Sequence, residues 1–264
     1  MPVKGFAEVR LAGATTGIAC TTAAARTLIP KGTDHLELVA RNLSTAVVVR
    51  FGLLPYLVIL KTADDLATVT DYSAQAQDGD TSTDVDLSSL GTLAQGDYVV
   101  VGSAFPFAGI AMDVDTANAN ASVMTVKYWN GSAWTDISAT DGTASGGATL
   151  AQDGAVTWTI PAAWTKARLR EIVPASAAAV GPQQHVPMFW LRIEVSAALD
   201  STTKQNSWIA HERNTSYADL VSGGKFESPV NFGPSGIAGI SSLTDAGTAN
   251  LIANCYSEGG FTQA

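Results

Sequence analysis

Acidic or hydroxyl side chains occupy every second position of the segment DGDTSTDVD, residues 78–86, and alternating oxygen ligands are typical of a calcium-binding loop. The candidate ligands are Asp78, Asp80, Asp84 and Asp86. An EF-hand loop also requires Gly at its sixth place and Glu at its twelfth, and here those places hold Thr83 and Ser89. The pattern therefore favours an exposed acidic loop between strands, with a calcium site of another form as the alternative. No cofactor is predicted.

The three histidines, His35, His185 and His211, give no support for a metal centre or a general base, because none stands in HxxxH, HxxE or HxH spacing. The sequence also contains no GxSxG, P-loop or GxGxxG motif. Loop carboxylates leave a glycan hydrolase as a remote alternative, since two carboxylates facing one cleft cannot be recognised in a single sequence. We predict that the protein is not an enzyme and has no catalytic residues.

The two cysteines, Cys20 and Cys255, are too few for a zinc site and too far apart in sequence for a CxxC redox pair. A disulfide between them is one interpretation. Buried free thiols are the favoured one, because free cysteine behaves as a small buried hydrophobic residue.

Two tryptophans and a tyrosine surround an Asn-Gly dipeptide in VKYWNGSAWTDIS, residues 126–138. Asn130-Gly131 predicts a hairpin with a two-residue turn. Tyr128 and Trp134 are expected on the inward face, and since adjacent strand residues point to opposite sides, Trp129 is expected outside. Trp129 and Trp134 are thus candidate contact aromatics. They could pack in their own domain, contact a neighbouring subunit, or stack on a sugar.

The composition is weakly charged, with 46% apolar and 15% charged residues among 264, against about 25% charged in an average protein. The net charge is −9, and no Lys or Arg occurs between Lys61 and Lys127, a gap that contains ten Asp. Such an acidic surface repels phosphate backbones, which argues against direct nucleic-acid binding. The amino terminus lacks the apolar segment of a signal peptide, and the apolar run at 53–60 is too short to span a membrane. We expect no membrane association and synthesis in the cytoplasm.

Short strand-like segments separated by turn residues recur along the chain and predict an all-β fold. HLELVARN alternates apolar residues at Leu36, Leu38 and Ala40, and AVVVRFGLLPYLVIL predicts one or two buried strands with Pro55 at a bend or an edge. Further strands are predicted over 97–103, 109–115, 154–161, 188–196 and 207–214. Only 162–173, after Pro161, reads as a short helix or turn.

All six tryptophans lie between 129 and 208, and this distribution divides the chain. We predict two β-sandwich domains of jelly-roll or immunoglobulin-like type. The tryptophan-rich, acidic one, 66–206, is inserted in a host domain formed by 1–65 and 207–264, because a loop whose ends are adjacent accepts an insertion at low cost. Two consecutive domains that meet near 66 are the alternative.

Three segments in order, YWNGSAWTDIS, DGTASGGATLAQDGAVTWTIPAAW and FWLRIEVSAALDSTT, resemble a β-sandwich module that recurs in virion proteins of tailed bacteriophages. The upstream segments DGDTSTDVDLSSL and FPFAGIAMDVDTANANAS are also similar to that family, so the resemblance covers about 70–205. It implies a non-enzymatic virion structural protein, foremost a capsid decoration or cement protein, with a tail, neck or head-fibre component as the alternative. The recurrent residues look like determinants of the fold, so no site residues follow from it.

The resemblance implies partners of a particular kind: the major capsid protein or other virion proteins, and further copies of this chain in a trimer or larger symmetric array. The nearly neutral host domain would dock, and the acidic insert would face solvent and keep particles apart. A carbohydrate- or receptor-binding module that uses exposed aromatics such as Trp129 and Trp134 is the second functional hypothesis.

Overall fold

The computed structural model describes residues 7–11, 17–30, 32–42, 48–173, 182–211, 218–229 and 236–257. The chain divides into two compact units, one made of Met1–Leu54 with Glu212–Ala264 and the other of Pro55–His211. Nearly all of the regular secondary structure described in both units is β-strand, which confirms the predicted all-β fold.

In its described residues the first unit has nine strands in two sheets. They are β1 (Ala7–Arg10), β2 (Ile18–Cys20), β3 (Ala25–Leu28), β4 (His35–Arg41), β5 (Val49–Pro55), β18 (Ala218–Leu220), β19 (Lys225–Pro229), β20 (Ile237–Thr244) and β21 (Ala249–Ser257). One sheet has the order β1-β21-β4-β19, with β2 also pairing with β21, and the other has the order β18-β5-β20-β3.

The described part of the second unit forms twelve strands in two further sheets. They are β6 (Leu57–Ala63), β7 (Thr70–Asp71), β8 (Val85–Asp86), β9 (Asp97–Ser103), β10 (Gly109–Thr116), β11 (Met124–Trp129), β12 (Trp134–Asp136), β13 (Thr140–Asp141), β14 (Gly154–Thr157), β15 (Lys166–Ala167), β16 (Met188–Val195) and β17 (Lys204–Ala210). The seven-stranded sheet has the order β12-β11-β16-β9-β6-β7, with β15 on β16, and the five-stranded sheet has the order β13-β14-β10-β17-β8.

The described helices are single turns. They are the 3₁₀ turns Gln75–Gln77, Leu93–Gln95 and Pro182–His185 and the α-helical turn α1 (Leu169–Ile172), which falls in the segment predicted to be a short helix or turn. None of these described helices has the length and apolar character that crossing a bilayer would take.

Alternation of apolar residues positions the core of the first unit. Leu36, Leu38 and Ala40 of β4 are buried while the residues between them are partly exposed, as the sequence predicted. The rings of Phe51 on β5 and Phe226 on β19 meet with centroids 4.7 Å apart, so they join the two sheets. This unit is therefore a two-layer sandwich around one apolar core.

Both cysteines contribute to that same core as free, buried thiols. Cys20 on β2 donates its thiol hydrogen to the Ser242 hydroxyl, with 3.4 Å between sulfur and oxygen. Burial raises the pKa of Cys20, and it raises the pKa of Cys255 on β21 to about 11. The favoured sequence interpretation, buried free thiols, agrees with this arrangement.

The core of the second unit lies between its two sheets. Val99 and Leu191 from the seven-stranded sheet and Ile110 and Trp208 from the five-stranded sheet belong to one cluster of buried residues. Since each sheet contributes one apolar face to this cluster, the second unit is also a sandwich.

The division between the units lies at Pro55 and His211, whereas the sequence analysis placed it at 66 and 206. The difference arises because β6 pairs with β9 along its whole length, from Leu57 opposite Ser103 to Ala63 opposite Asp97. The apolar run after Pro55 therefore belongs to the tryptophan-rich unit.

Side chains close part of the outer edge of β6. The Gln77 amide donates to the Leu57 carbonyl over 2.7 Å and accepts from the Leu57 N–H over 2.8 Å, as a neighbouring strand would. The Ser73 hydroxyl accepts from the Ile59 N–H at 2.9 Å. Beyond these contacts, β7 pairs with Leu60 and Lys61.

The hairpin between β11 and β12 is confirmed, but its turn is longer than predicted. Trp129 and Trp134 are the last paired residues, which leaves a four-residue loop in place of the predicted Asn130-Gly131 turn. The Asn130 side-chain oxygen accepts hydrogen bonds from the backbone N–H groups of Ser132 and Ala133, at 2.9 and 2.8 Å. These bonds give the longer loop its own support.

Candidate functional site

The outer face of the seven-stranded sheet holds a mixed polar and aromatic cluster. Along β16, Leu191 and Ile193 point to the core, so Arg192 and Glu194 point to the opposite face. These two charged residues lie at the centre of the sheet, with β11 on one side and β9 on the other.

Two aromatic rings flank the Arg192 guanidinium. Its central carbon lies 5.1 Å from the centroid of the Trp134 ring and 5.5 Å from that of the Tyr98 ring. Both distances are within the range of cation–π attraction. Trp134 comes from the edge strand β12 and Tyr98 from β9, so the cluster extends across four neighbouring strands of the sheet.

Glu194 holds Arg192 in place from the side and is shared with a lysine. Its carboxylate accepts from Arg192 Nε at 2.6 Å and from Lys127 Nζ at 2.9 Å. The Glu194 and Arg192 side chains are only 11% and 16% exposed, so water screens these bonds weakly. The guanidinium is thereby fixed in one orientation.

Asp65 closes the other end of the cluster. Its carboxylate oxygen Oδ1 accepts a hydrogen bond of 2.8 Å from the Tyr98 hydroxyl. Burial, followed by this hydrogen bond, raises the pKa of Tyr98, so the phenol keeps its proton.

The loop that carries Asp65 has an unusual backbone. Asp65 and Leu66 have φ angles of 58° and 66°, in the left-handed region that such residues rarely adopt. The conformation is fixed by hydrogen bonds from the Asp65 N–H to the Gly96 carbonyl and from the Leu66 N–H to the Thr62 hydroxyl, at 2.9 and 2.8 Å. Strain of this kind persists where the surroundings determine it and is often found at functional sites.

These residues surround a pocket of about 350 Å³, which is within the usual size range of small-molecule sites. One part of its lining is polar or aromatic and the other is aliphatic. The lining residues are Asp65, Leu66, Tyr98, Val100, Trp134, Ile172, Val173 and Arg192. We call this cavity the outer-face pocket.

The two candidate contact aromatics lie together on the outer face. Trp129 and Trp134 are directly opposite each other on β11 and β12, and their rings meet edge to face with centroids 5.7 Å apart. Both are partly buried, while Tyr128 is buried in the core. The prediction that Trp134 shares the inward face with Tyr128 is therefore wrong, because residues directly opposite on paired strands share one face. Trp134 lines the pocket and Trp129 supports it.

The four candidate calcium ligands do not converge in the structure. The carboxylates of Asp78 and Asp80 accept hydrogen bonds from their own loop, from the N–H groups of Asp80 and Ser82 respectively. Asp84 pairs with Lys204 at 2.8 Å, and Asp86 accepts from the Ser88 N–H. Within the described ranges no three His, Cys, Asp or Glu side chains form a group that could hold a metal ion. The acidic side chains of residues 78–86 therefore stabilise local turns and form one ion pair.

The three histidines make contacts of three different kinds. His35 contacts the Tyr256 ring in the first unit, with centroids 6.0 Å apart. In the second unit, the His211 N–H donates to the Gly109 carbonyl, whereas exposed His185 lines a shallow depression with Arg168, Arg170 and Glu171. His185 and His211, both in the second unit, take part in separate contacts.

Sequence reasoning missed Asp65, Tyr98 and Arg192. One signal was present: in FWLRIEV, the charged residues Arg192 and Glu194 alternate with apolar ones in a strand that is otherwise buried. That alternation indicates a polar outer face on β16. Its partners, Tyr98 on β9 and Asp65 in the loop after β6, can be identified only when the pairing of the strands is known.

Comparison with known proteins gives no match: no protein-family model, curated protein or solved structure matches this chain. The functional interpretation therefore rests on the residues and geometry described above.

Proposed function

We propose that the chain is a non-enzymatic virion structural protein that acts as a capsid decoration protein. It binds the major capsid protein and further copies of itself in a symmetric array. A position in the tail, the neck or a head fibre is the alternative within the same class.

The observation that carries this proposal is that the three resemblance motifs build one framework. Trp164, from the second motif, contacts Tyr128 of the first and Phe189 of the third, with ring centroids 6.5 and 5.6 Å apart. Its indole N–H also donates to the Trp190 carbonyl at 3.2 Å. Residues that recur because they determine a fold are expected to meet in this way, which supports the assignment to the virion module.

The distribution of charge supports separate roles for the two units. The second unit, Pro55–His211, contains sixteen acidic and seven basic residues, whereas the first unit contains eight of each. The second unit therefore accounts for the whole net charge of −9. A neutral surface docks on a partner without long-range repulsion, and a strongly acidic one keeps neighbouring particles dispersed. The neutral unit is therefore the docking unit in this proposal.

The test is binding of the purified full-length chain to virion shells and tail tubes that lack it, measured by cosedimentation, together with its oligomeric state by analytical ultracentrifugation. We expect an oligomer and saturable binding to shells. A monomer that binds neither particle would overturn the proposal, and binding to tubes alone would establish the tail alternative.

A matched pair of variants tests which unit docks. Val221 and Val123 are similarly exposed, at 62% and 64%, but lie in the neutral and the acidic unit respectively. We expect Val221→Asp to weaken particle binding and Val123→Asp to leave it unchanged. The reverse result would assign docking to the acidic unit.

A further inference from the structure

We propose that the outer-face pocket binds a neutral saccharide unit, best fitted by an N-acetylhexosamine. This inference goes beyond the virion role and does not depend on it, because the pocket lies wholly in the tryptophan-rich unit. The sugar hypothesis drawn from the sequence placed the site at Trp129, Trp134 and nearby Asn and Asp side chains. The structure assigns recognition to Trp134 together with Arg192, Tyr98 and Asp65.

The polar part of the pocket offers both kinds of hydrogen-bonding group that a sugar hydroxyl needs. Asp65 uses Oδ1 to accept from Tyr98, and no other side chain of the described residues donates to its carboxylate. Arg192 uses Nε for Glu194, and its terminal nitrogens donate to no described residue. A hydroxyl can donate to the carboxylate and accept from the guanidinium, so two neighbouring sugar hydroxyls match this pair.

The apolar part suits the remainder of such a ligand. The Trp134 indole offers an aromatic surface on which the C–H face of a sugar ring packs. Four aliphatic side chains line the same cavity: Leu66, Val100, Ile172 and Val173. A hexose without an acetamido group has no apolar substituent to contact these side chains. The methyl of an acetamido group would pack against them and so remove apolar surface from water.

The charge of the pocket favours a neutral ligand over an acidic one. Arg192 and Lys127 are offset by Glu194 and Asp65, so the cluster has no net charge. The carboxylate of Asp65 also lines the cavity directly and would repel a uronic acid.

The site is preorganised. Arg192 is fixed by two rings and by Glu194, and Asp65 is fixed by Tyr98 and by the left-handed loop. Groups that are already ordered lose little conformational entropy when a ligand binds, which helps a small ligand that makes few contacts.

The experiment uses saturation-transfer NMR on the full-length chain with N-acetylglucosamine, glucose and glucuronate as separate probes. We expect transfer to N-acetylglucosamine, strongest at its acetamido methyl, with a Kd on the order of 1 mM, as is reasonable for a monosaccharide with few contacts. Glucose should bind more weakly and glucuronate weakest. No transfer to either neutral sugar, or a preference for glucuronate, would overturn the inference.

Variants distinguish binding in the outer-face pocket from adventitious binding elsewhere on the protein. Asp65→Asn keeps an oxygen that accepts from Tyr98, and Asn tolerates a positive φ, so the loop should fold while affinity falls about tenfold or more. Trp134→Ala should abolish transfer to the sugar ring. Phe105→Ala removes an aromatic that is 52% exposed and outside the pocket, and it should bind as the wild type does. Equal binding by Asp65→Asn and the wild type would contradict the assignment.

This outcome is independent of the assembly test. A chain that decorates particles but transfers no saturation to sugars would retain its virion role and lose the pocket's assignment. A chain that binds N-acetylglucosamine but no particle would do the opposite.

Discussion

The indole of Trp190 lies directly over Gly102 on the adjacent strand, so that a Cβ at Gly102 would stand 2.4 Å from the indole carbon Cζ3. Trp190 is fully buried, and its N–H donates to the Ala167 carbonyl at 2.8 Å. The ring is therefore held between Gly102 on one strand and the Ala167 carbonyl of β15.

Gly102→Ala should lower the free energy of unfolding by about 1–3 kcal/mol, the usual cost of overpacking a core. Urea unfolding followed by fluorescence measures it. Phe at position 190 lacks the indole carbons that face Gly102, so the Ala substitution should cost less in the Trp190→Phe background. Strictly additive free energies for the two changes would contradict the contact.

Glu194→Gln should destabilise the protein by about 2 kcal/mol, because Lys127 and Arg192 then lose their shared, weakly screened counter-charge. Glu171→Gln is the matched control. Its ion pair with Arg168 is 54% exposed on both sides, and the change should cost less than about 0.5 kcal/mol. Thermal and urea unfolding of both variants gives the comparison. A similar loss of unfolding free energy in both variants would show that burial does not strengthen the ion pairs of Glu194.

Stability should fall in acid through Asp200. Its carboxylate accepts from the N–H groups of Ala119 and Thr202 and from two threonine hydroxyls, which lowers its pKa to about 2. A folded-state pKa below the ordinary value of 3.8 means that the stabilisation is complete above about pH 4 and is lost as the pH falls towards 2. Asp200→Asn should therefore be less stable than the wild type at pH 6, with the difference shrinking at pH 2.5. Exposed Asp115→Asn is the control, and a difference that does not change with pH would refute this role.

Both thiols should resist modification in the folded protein. Burial raises the pKa of Cys20 and Cys255, so little thiolate is present at neutral pH, and neither sulfur is accessible. A thiol-reactive dye should label neither cysteine under native conditions and both in guanidinium chloride. Labelling of neither in denaturant without reductant would instead reveal a disulfide.

Local patterns allowed much of the fold to be predicted. The alternation at Leu36, Leu38 and Ala40 identified both the strand β4 and its buried face. Pro55 also interrupts the apolar run, since β5 ends there and β6 begins two residues later. Such features depend on period and on turn chemistry, which a single sequence contains.

Longer-range features were less accessible. The four-residue loop that Asn130 supports could not be distinguished from a two-residue turn by its dipeptide. Either turn sets Trp134 opposite an odd-numbered residue of β11, Lys127 or Trp129, so its outward position follows from antiparallel pairing and not from the length of the loop. Asp65 and Arg192 are far apart in sequence, and they reach one pocket only through the pairing of β16, β9 and β6. Strand order, unlike strand identity, is not encoded in any one segment.

Gln77 and Ser73 bond the backbone of Leu57 and Ile59 as a further strand would, yet they present no ladder of N–H and C=O groups beyond themselves. A second copy of the chain consequently finds no template there on which to extend the sheet. Proteins at high local concentration are prone to pair through exposed strand edges. The Gln77 and Ser73 side chains block such pairing at Leu57 and Ile59 of β6.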